Sequence, residues 1–206
     1  MTVHILGNGG HGRDLADIVK AVGAAPSMHD DNRARGAPLP DGVSFLLGIA
    51  EPHARAARDY QQNQPYSLHH PSVVGSAACG FGAVIGAGTT IGPGVELGRH
   101  AHVGAGCTLT RTIIGDYCQI APGVDIAGDV TIGDRVFVGV GATIRNLVTI
   151  GDDAVIGAGS VVLHDVPAGA TVVGIPAKVI RRKRSTTPFD GWNESTKFGD
   201  DPWYYQ

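Results

Sequence analysis

Positive charge is not in excess in this sequence. Its 16 Lys and Arg stand against 19 Asp and Glu, a formal charge of −3, which excludes the basic footprint of a nucleic-acid-binding surface. Apolar runs long enough to span a membrane are missing as well, so neither nucleic acid nor membrane is expected as a partner. The N-terminus, MTVHILGNGG, turns glycine-rich after one short apolar stretch. It lacks the charged and apolar regions of a signal peptide, and a cytoplasmic protein is the expectation. The 3 cysteines have the spacing of neither a zinc site nor a disulfide framework, and no metal is expected. Aromatics are scarce, at 6% of 206 residues, and Phe189, Trp192, Phe198, Trp203, Tyr204 and Tyr205 crowd into the last stretch.

Glycine is the opposite case, with 31 residues spread through 75–174 without a collagen-type triplet. Such a distribution implies a repeat with a tight corner in every unit. An inward aliphatic position recurs at steps of six: Val73, Cys79, Ile85, Ile91, Leu97, Val103 and Leu109, then Ile114, Ile120, Ile126, Ile132, Val138, Ile144, Ile150, Ile156 and Val162. Between Leu109 and Ile114 the step is five. Two residues before each stands a small or β-branched partner, such as Ala83, Val95 or Val130, and a strand period of two puts both on one side. The glycine that follows most inward positions reads as room for a sharp turn. Three short strands close a triangular coil of about eighteen residues, and stacked coils bury a continuous aliphatic column. All three cysteines fall in the inward phase, Cys79 at the main position and Cys107 and Cys118 at the partner position, as buried small fillers.

This pattern resembles the left-handed parallel β-helix of the hexapeptide-repeat acyltransferases. The ending VVGIPAKVI (172–180) is similar to the sequence that closes that family's domain. The resemblance implies a left-handed coil, a homotrimer, and acyl-CoA (acetyl-CoA in the simplest case) bound in grooves between neighbouring prisms. It implies Gly139, Gly157, Ile175, Pro176 and Lys178 as acyl-CoA contacts.

Residues 2–6 read as a strand. Gly7 to Gly12 supply G-x-G-x-x-G, and a helix is expected from Arg13 to Val22 with Leu15, Ile18, Val19 and Val22 on one face. Asp30 follows at the spacing of a ribose-binding carboxylate, and the glycines let a phosphate approach N–H groups at the helix's positive end. A strand over 43–47 and a helix over 51–62 complete a unit too short for two mononucleotide halves, so a mononucleotide diphosphate fits better than a dinucleotide. The segments GNGGHGRDLADIV and MHDDNR resemble the N-terminal domain of bacterial sugar acetyltransferases of the PglD/NeuD type. By that resemblance Gly7, Gly9, Gly10 and His11 form the loop that binds a nucleotide-linked sugar, and Asp30 and Asp31 contact uridine or its ribose. The alternative is an α/β cap that packs on the prism and binds nothing. The expected organisation is an α/β nucleotide-binding unit over 1–65, an all-β left-handed parallel β-helix over 66–181, trimeric, and an aromatic-rich tail over 182–206. The tail reads as an arm docked on the prism or on a neighbouring protomer. The run Arg181-Arg182-Lys183-Arg184 before it approaches the CoA phosphates or is a solvated junction.

The five-residue step falls where members of that family carry their chemistry. Their coil before I-G-D contains a segment such as V-D-H-D-C-V, whose His is the general base. The matching segment here is Leu109-Thr110-Arg111-Thr112-Ile113, one residue shorter and with neither His nor acid, and a second family histidine is Gln119. A positioned base supplies about 10²–10⁴-fold; a hydroxyl acceptor needs it, whereas an amine attacks as the free base. Residues one coil apart differ by eighteen, or by seventeen across the break, so Gln119 shares a column with His102. His102, with His100 in the same turn region, is either a relocated base or a solvated corner residue. Arg111 either pairs with a phosphate or carboxylate of the acceptor through its planar donor fork or is a solvated corner residue. His102, Thr110, Arg111 and Gln119 make up the candidate catalytic set, and His69 and His70 read as a structural linker. The function expected is an acyl-CoA-dependent acyltransferase acting on a nucleotide-linked amino sugar. The alternatives are a catalytically silent homologue that binds nucleotide-sugar or CoA, and an O-acetyltransferase that uses His102.

Overall fold

A computed structural model describes residues 2–6, 10–29, 45–47, 52 and 67–182. At the N-terminus, β1 (Thr2–Leu6), β2 (Ala25–His29) and β3 (Phe45–Leu47) form a parallel sheet in the order β2-β1-β3, with α1 (Gly10–Ala21) between the first two. Leu15, Ala16 and Val19 of α1 bury against Val3 and Ile5 of β1, the stripe that a helical period of 3.6 predicts. The helix starts three residues earlier than Arg13 and ends before Val22, which lies beyond it at the surface. Gly23, in the left-handed region at φ 78°, stops it: the N–H of Gly23 donates to the carbonyl of Lys20 and that of Ala24 to Val19, a Schellman closure. The strand β2 was not legible as such in PSMH, and the helix expected over 51–62 lies outside the described residues apart from Pro52.

Residues 68–182 form a three-faced parallel β-helix. The first face stacks β4 (Leu68–His69), β6 (Val84–Ile85), β9 (His102–Val103), β12 (Gln119–Ile120), β15 (Phe137–Val138), β18 (Val155–Ile156) and β20 (Ala170–Val173), closed by antiparallel β21 (Lys178–Arg182). The second stacks β7 (Thr90–Ile91), β10 (Thr108–Leu109), β13 (Asp125–Ile126), β16 (Thr143–Ile144) and β19 (Val161–Val162). The third stacks β5 (Ala78–Cys79), β8 (Glu96–Leu97), β11 (Thr112–Ile114), β14 (Val130–Ile132) and β17 (Thr149–Ile150). Coil-to-coil register is as the counting requires: Thr90 pairs with Thr108, Thr108 with Asp125 across the break, and Asp125 with Thr143.

From Ile85 onward every expected inward residue is buried in one continuous column, with Val73 and Cys79 packed at its N-terminal end. Each fully buried Ile or Val side chain contributes roughly 1.5–3 kcal/mol. Cys107 and Cys118 are buried there too, and burial pushes the Cys107 thiol up from its ordinary pKa. The buried threonine hydroxyls have acceptors: Thr89 donates to the carbonyl of Gly104 and Thr112 to that of Thr110.

The glycine directly after each strand does a different job from the one expected. A Cβ built on Gly104 would lie 2.5 Å from the Pro122 amide nitrogen in the next coil, so this position is kept bare by close approach between coils. The sharp turn is made two residues later, where Gly123, for example, sits at φ 69°. His100, Arg111, Tyr117, Asp129, Arg135, Leu147 and Asp153 occupy that left-handed position in other corners. The prism also begins earlier than Val73. His69 belongs to its first strand, with Nε2 3.3 Å from Cys79 Sγ, and His70 Nδ1 lies 2.8 Å from Ser72 Oγ.

Candidate functional site

In the N-terminal sheet the strand order reverses between β1 and β3, and α/β sheets bind ligands outside the carboxyl ends of the strands at such a switch point. Leu6 and His29 are register partners at those ends. Gly7 and Gly9 follow the first, and Asp30 and Asp31 follow the second; all four lie outside the described residues. What the structure describes is that the two strands these segments follow in sequence end side by side, at Leu6 and His29. Gly10 and His11 are corrected in one respect: they belong to the first turn of α1, where backbone N–H groups have no helical partner.

The prism has three edges of contrasting chemistry. The first, between the first and second faces, reads Gly86-Ala87-Gly88, Gly104-Ala105-Gly106, Ala121-Pro122-Gly123, Gly139-Val140-Gly141 and Gly157-Ala158-Gly159 from coil to coil. Nothing larger than proline or valine projects from five successive corners. A Cβ placed at Gly88, Gly106, Gly123, Gly141 or Gly159 would meet no atom within 4 Å, so the strip is open, about 19 Å long at the spacing of parallel strands. Gly174, Ile175 and Pro176 form the last corner on this edge, where Val161 N–H donates to Gly174, and Lys178 begins the capping strand. Four of the residues expected to hold acyl-CoA, Gly139, Gly157, Ile175 and Pro176, thus fall on one line. Sequence reasoning missed Ala105, Val140 and Ala158 beside them, although their small size at every third corner, about eighteen residues apart, was the available signal.

The second edge, between the second and third faces, carries the break. Other corners have three residues between inward-facing pairs; here only Thr110 and Arg111 stand between Leu109 and Thr112. Arg111 takes the left-handed position at φ 42°, so the residue lost is the middle one of the corner. The Arg111 side chain reaches to the next coil and crosses it so closely that a Cβ on Gly128 would lie 2.7 Å from Nη2. Nε and Nη2 donate to the two carboxylate oxygens of Asp129, at 3.0 and 3.2 Å. That hydrogen bond first, and the carboxylate's charge second, raise the Arg111 pKa further above its ordinary value.

The third edge is filled. Arg99 donates to Asp116 at 2.8 Å and lies over the rings of Phe81 and Tyr117. Arg135 donates to Asp153 at 2.7 Å with Asp134 and Asp152 beside it. Asp116, Asp134 and Asp152 each accept the backbone N–H of the coil before, from Arg99, Asp116 and Asp134.

The catalytic set expected from sequence does not converge. His102 and Gln119 are register partners on the first face; Thr110 and Arg111 are on the second edge, with the second face between. His100 and His102 are not solvated corner residues either, being 0% and 1% exposed. The His100 ring sits edge-on to Phe81 at 5.4 Å and stacks with Tyr117 at 5.8 Å. His102 continues a column with Val84, and Val84 packs into the core of the N-terminal unit. The structure thus places His102 in the packing between the prism and the N-terminal unit. Gln119, 6% exposed, is enclosed with it.

Residues 76–111 and 111–146 match the family described as bacterial transferase hexapeptide (six repeats), and residues 129–164 match the hexapeptide repeat of succinyl-transferase. No curated protein matches the chain. Among solved structures, a histidine variant of perosamine N-acetyltransferase from Caulobacter crescentus in complex with CoA and GDP-perosamine is 28% identical, with a TM-score of 0.77 over 87% of this chain and 96% of that one. The acetyltransferase domain of PglB from Neisseria gonorrhoeae, in complex with acetyl coenzyme A, is 26% identical, with a TM-score of 0.74 over 87% and 98%. WeeI from Acinetobacter baumannii, at 22% identity and a TM-score of 0.71 over 87% and 100%, shares the fold. Repeat, prism and neighbours together define the class: the protein is an acyltransferase built on the hexapeptide repeat. Among the described residues no group of His, Cys, Asp and Glu is placed to hold a metal ion, and no helix is long and apolar enough to cross a membrane.

Proposed function

We propose that the chain transfers an acyl group, acetyl in the first instance, from acyl-CoA to the amine of a nucleotide-linked sugar, as a homotrimer in the cytoplasm. The observation that carries this reading is the bare first edge. A pantetheine arm is slender and lined with amides, and it needs a long, low track with accessible backbone groups. Here the amides of Ala105, Val140 and Ala158 donate to no backbone carbonyl among the described residues. The neighbours that bind CoA or acetyl coenzyme A support the choice of cosubstrate, and GDP-perosamine in one of them supports a nucleotide-linked acceptor. The carboxyl ends of neighbouring β1 and β2, at Leu6 and His29, support a nucleotide there, with Gly7, Gly9, Gly10, His11, Asp30 and Asp31 as its proposed contacts.

The chemistry follows from what the second edge lacks. With no histidine in the shortened corner and His102 buried, a hydroxyl acceptor would have no base to take its proton. An amine attacks the thioester carbonyl carbon as the free base. The C–N bond forms, the C–S bond breaks, and the proton shed by nitrogen ends on the CoA thiolate. Orientation of amine against thioester then provides most of the rate.

The test is thiol release from acetyl-CoA with a panel of nucleotide-linked amino sugars and their hydroxyl counterparts. Release is expected with amines only, with a rate that rises with pH through the acceptor's own pKa. Saturable nucleotide-sugar binding without thiol release on any acceptor would establish the silent homologue instead. Release on hydroxyl acceptors would reinstate a protein base.

A further inference from the structure

We propose that Arg111 is a catalytic residue of this acyl transfer: its guanidinium, held along one side by Asp129, takes the charge that develops on the thioester carbonyl oxygen. The inference rests on the acyltransferase reading above and adds a named electrophile to it.

Three observations single Arg111 out. The first is its position in the one corner that is short of a residue. With the middle corner residue gone, the Arg111 side chain lies across the bare backbone of Gly128, and Gly92-Pro93-Gly94 form the corner of the coil before. A cation thus stands in a low stretch of the edge, with no bulky side chain in the corner on either side.

The second is exposure. Arg99 and Arg135 are 39% and 28% exposed, wrapped by aromatic rings or by several carboxylates, whereas Arg111 is 58% exposed with one partner, Asp129, among the described residues. Asp129 uses Nε and Nη2, and no described residue bonds Nη1. A guanidinium gripped along one side keeps its orientation and still offers donors on the other.

The third is the chemistry left undone. Attack by the amine moves the carbonyl π pair onto oxygen before the C–S bond breaks, and the thiolate departs with the proton shed by nitrogen. No step needs a protein base, but the oxyanion needs a donor, and a fixed cation serves without giving up a proton. The bare edge that suits acyl-CoA and the edge that carries Arg111 are separated by the second face, so a second copy of the chain completes the site.

The experiment compares wild type with Arg111→Ala, Arg111→Lys and Asp129→Asn in the full chain, following thiol release with a nucleotide-linked amino sugar. Loss of an oxyanion donor costs about 10²–10³-fold in kcat. Arg111→Ala is expected to lose kcat on that order, with KM for acetyl-CoA unchanged. Low millimolar guanidinium should restore part of the rate, Arg111→Lys should retain more activity than alanine, and Asp129→Asn, a positioning variant, should lose less. Full kcat in Arg111→Ala, a rise in acceptor KM alone, or loss that tracks thermal unfolding without guanidinium rescue would overturn the proposal and leave the acyltransferase reading intact. A wild type inert on every acceptor overturns both.

Discussion

Two glycines in the same stack, Gly104 and Gly123, ask for opposite things of a side chain. A methyl at Gly104 would be driven into the backbone of the next coil, where nothing flexible can yield, and Gly104→Ala should cost about 3 kcal/mol, the upper end of overpacking. At Gly123 the space is empty and only the left-handed φ of 69° opposes substitution, at about 1–2 kcal/mol. Urea denaturation of the two variants should rank them in that order. His102→Ala removes a buried side chain, so it should lower the unfolding midpoint while the pH dependence of turnover keeps its shape; a lost titrating limb would restore His102 as the base. His69 gives the fold its own pH dependence. Burial holds its pKa below the ordinary 6.5, so the unfolded chain binds the proton more readily. This stability is complete above about pH 6.5 and declines as pH falls through that value. His69→Gln should flatten the decline. The inward phase was readable residue by residue because burial repeats at six and aliphatic identity reports it. The two kinds of glycine were not separable, since close approach and left-handed backbone select the same residue type.

At the level of corners and strands, the aspartates of the three I-G-D turns form a ladder that ties each coil to the one before. Asp134 accepts the Asp116 N–H at 2.9 Å, and Asp152 accepts the Asp134 N–H at the same distance. Removing one acceptor strands a partly buried donor, which costs about 1–3 kcal/mol. Asp134→Ala should therefore lower the unfolding free energy by that amount, and Asp134→Asn, which keeps an oxygen in place, should lose much less. Equal losses in the two variants would assign the effect to the Arg135 charge cluster instead. The ladder shows where sequence reading stops. The recurrence of aspartate after Ile-Gly is visible in one dimension, but its bond runs to a residue eighteen positions back, along an axis that only the closed coil creates. The same limit explains the histidines. Subtracting seventeen from Gln119 correctly found His102 as its register partner, yet whether that column faced solvent depended on Val84 and the N-terminal unit packed upon it.

In the molecule as a whole, the features proposed for acyl transfer lie on separate surfaces of one chain. The bare strip from Gly86 to Gly159 and the Arg111 corner flank the second face on opposite edges, and the nucleotide-binding candidates leave the sheet at Leu6 and His29. In the proposed homotrimer, closed rotational symmetry would solve this without new sequence, by bringing the first edge of one copy to the second edge of the next around a ring. The arrangement makes a prediction that no single-chain site shares. Ala158→Trp should block the strip while leaving Arg111 intact, and Arg111→Ala should do the reverse, so each homogeneous protein is expected to be inactive. Co-expressed in equal amounts, they assemble mixed rings in which some junctions join an unblocked strip to an intact Arg111. With random assortment that fraction, and the recovered activity, is about one quarter of wild type. If both parts of the site came from one chain, every chain in the mixture would still carry a defect in its own site, and activity would stay at the level of the single variants.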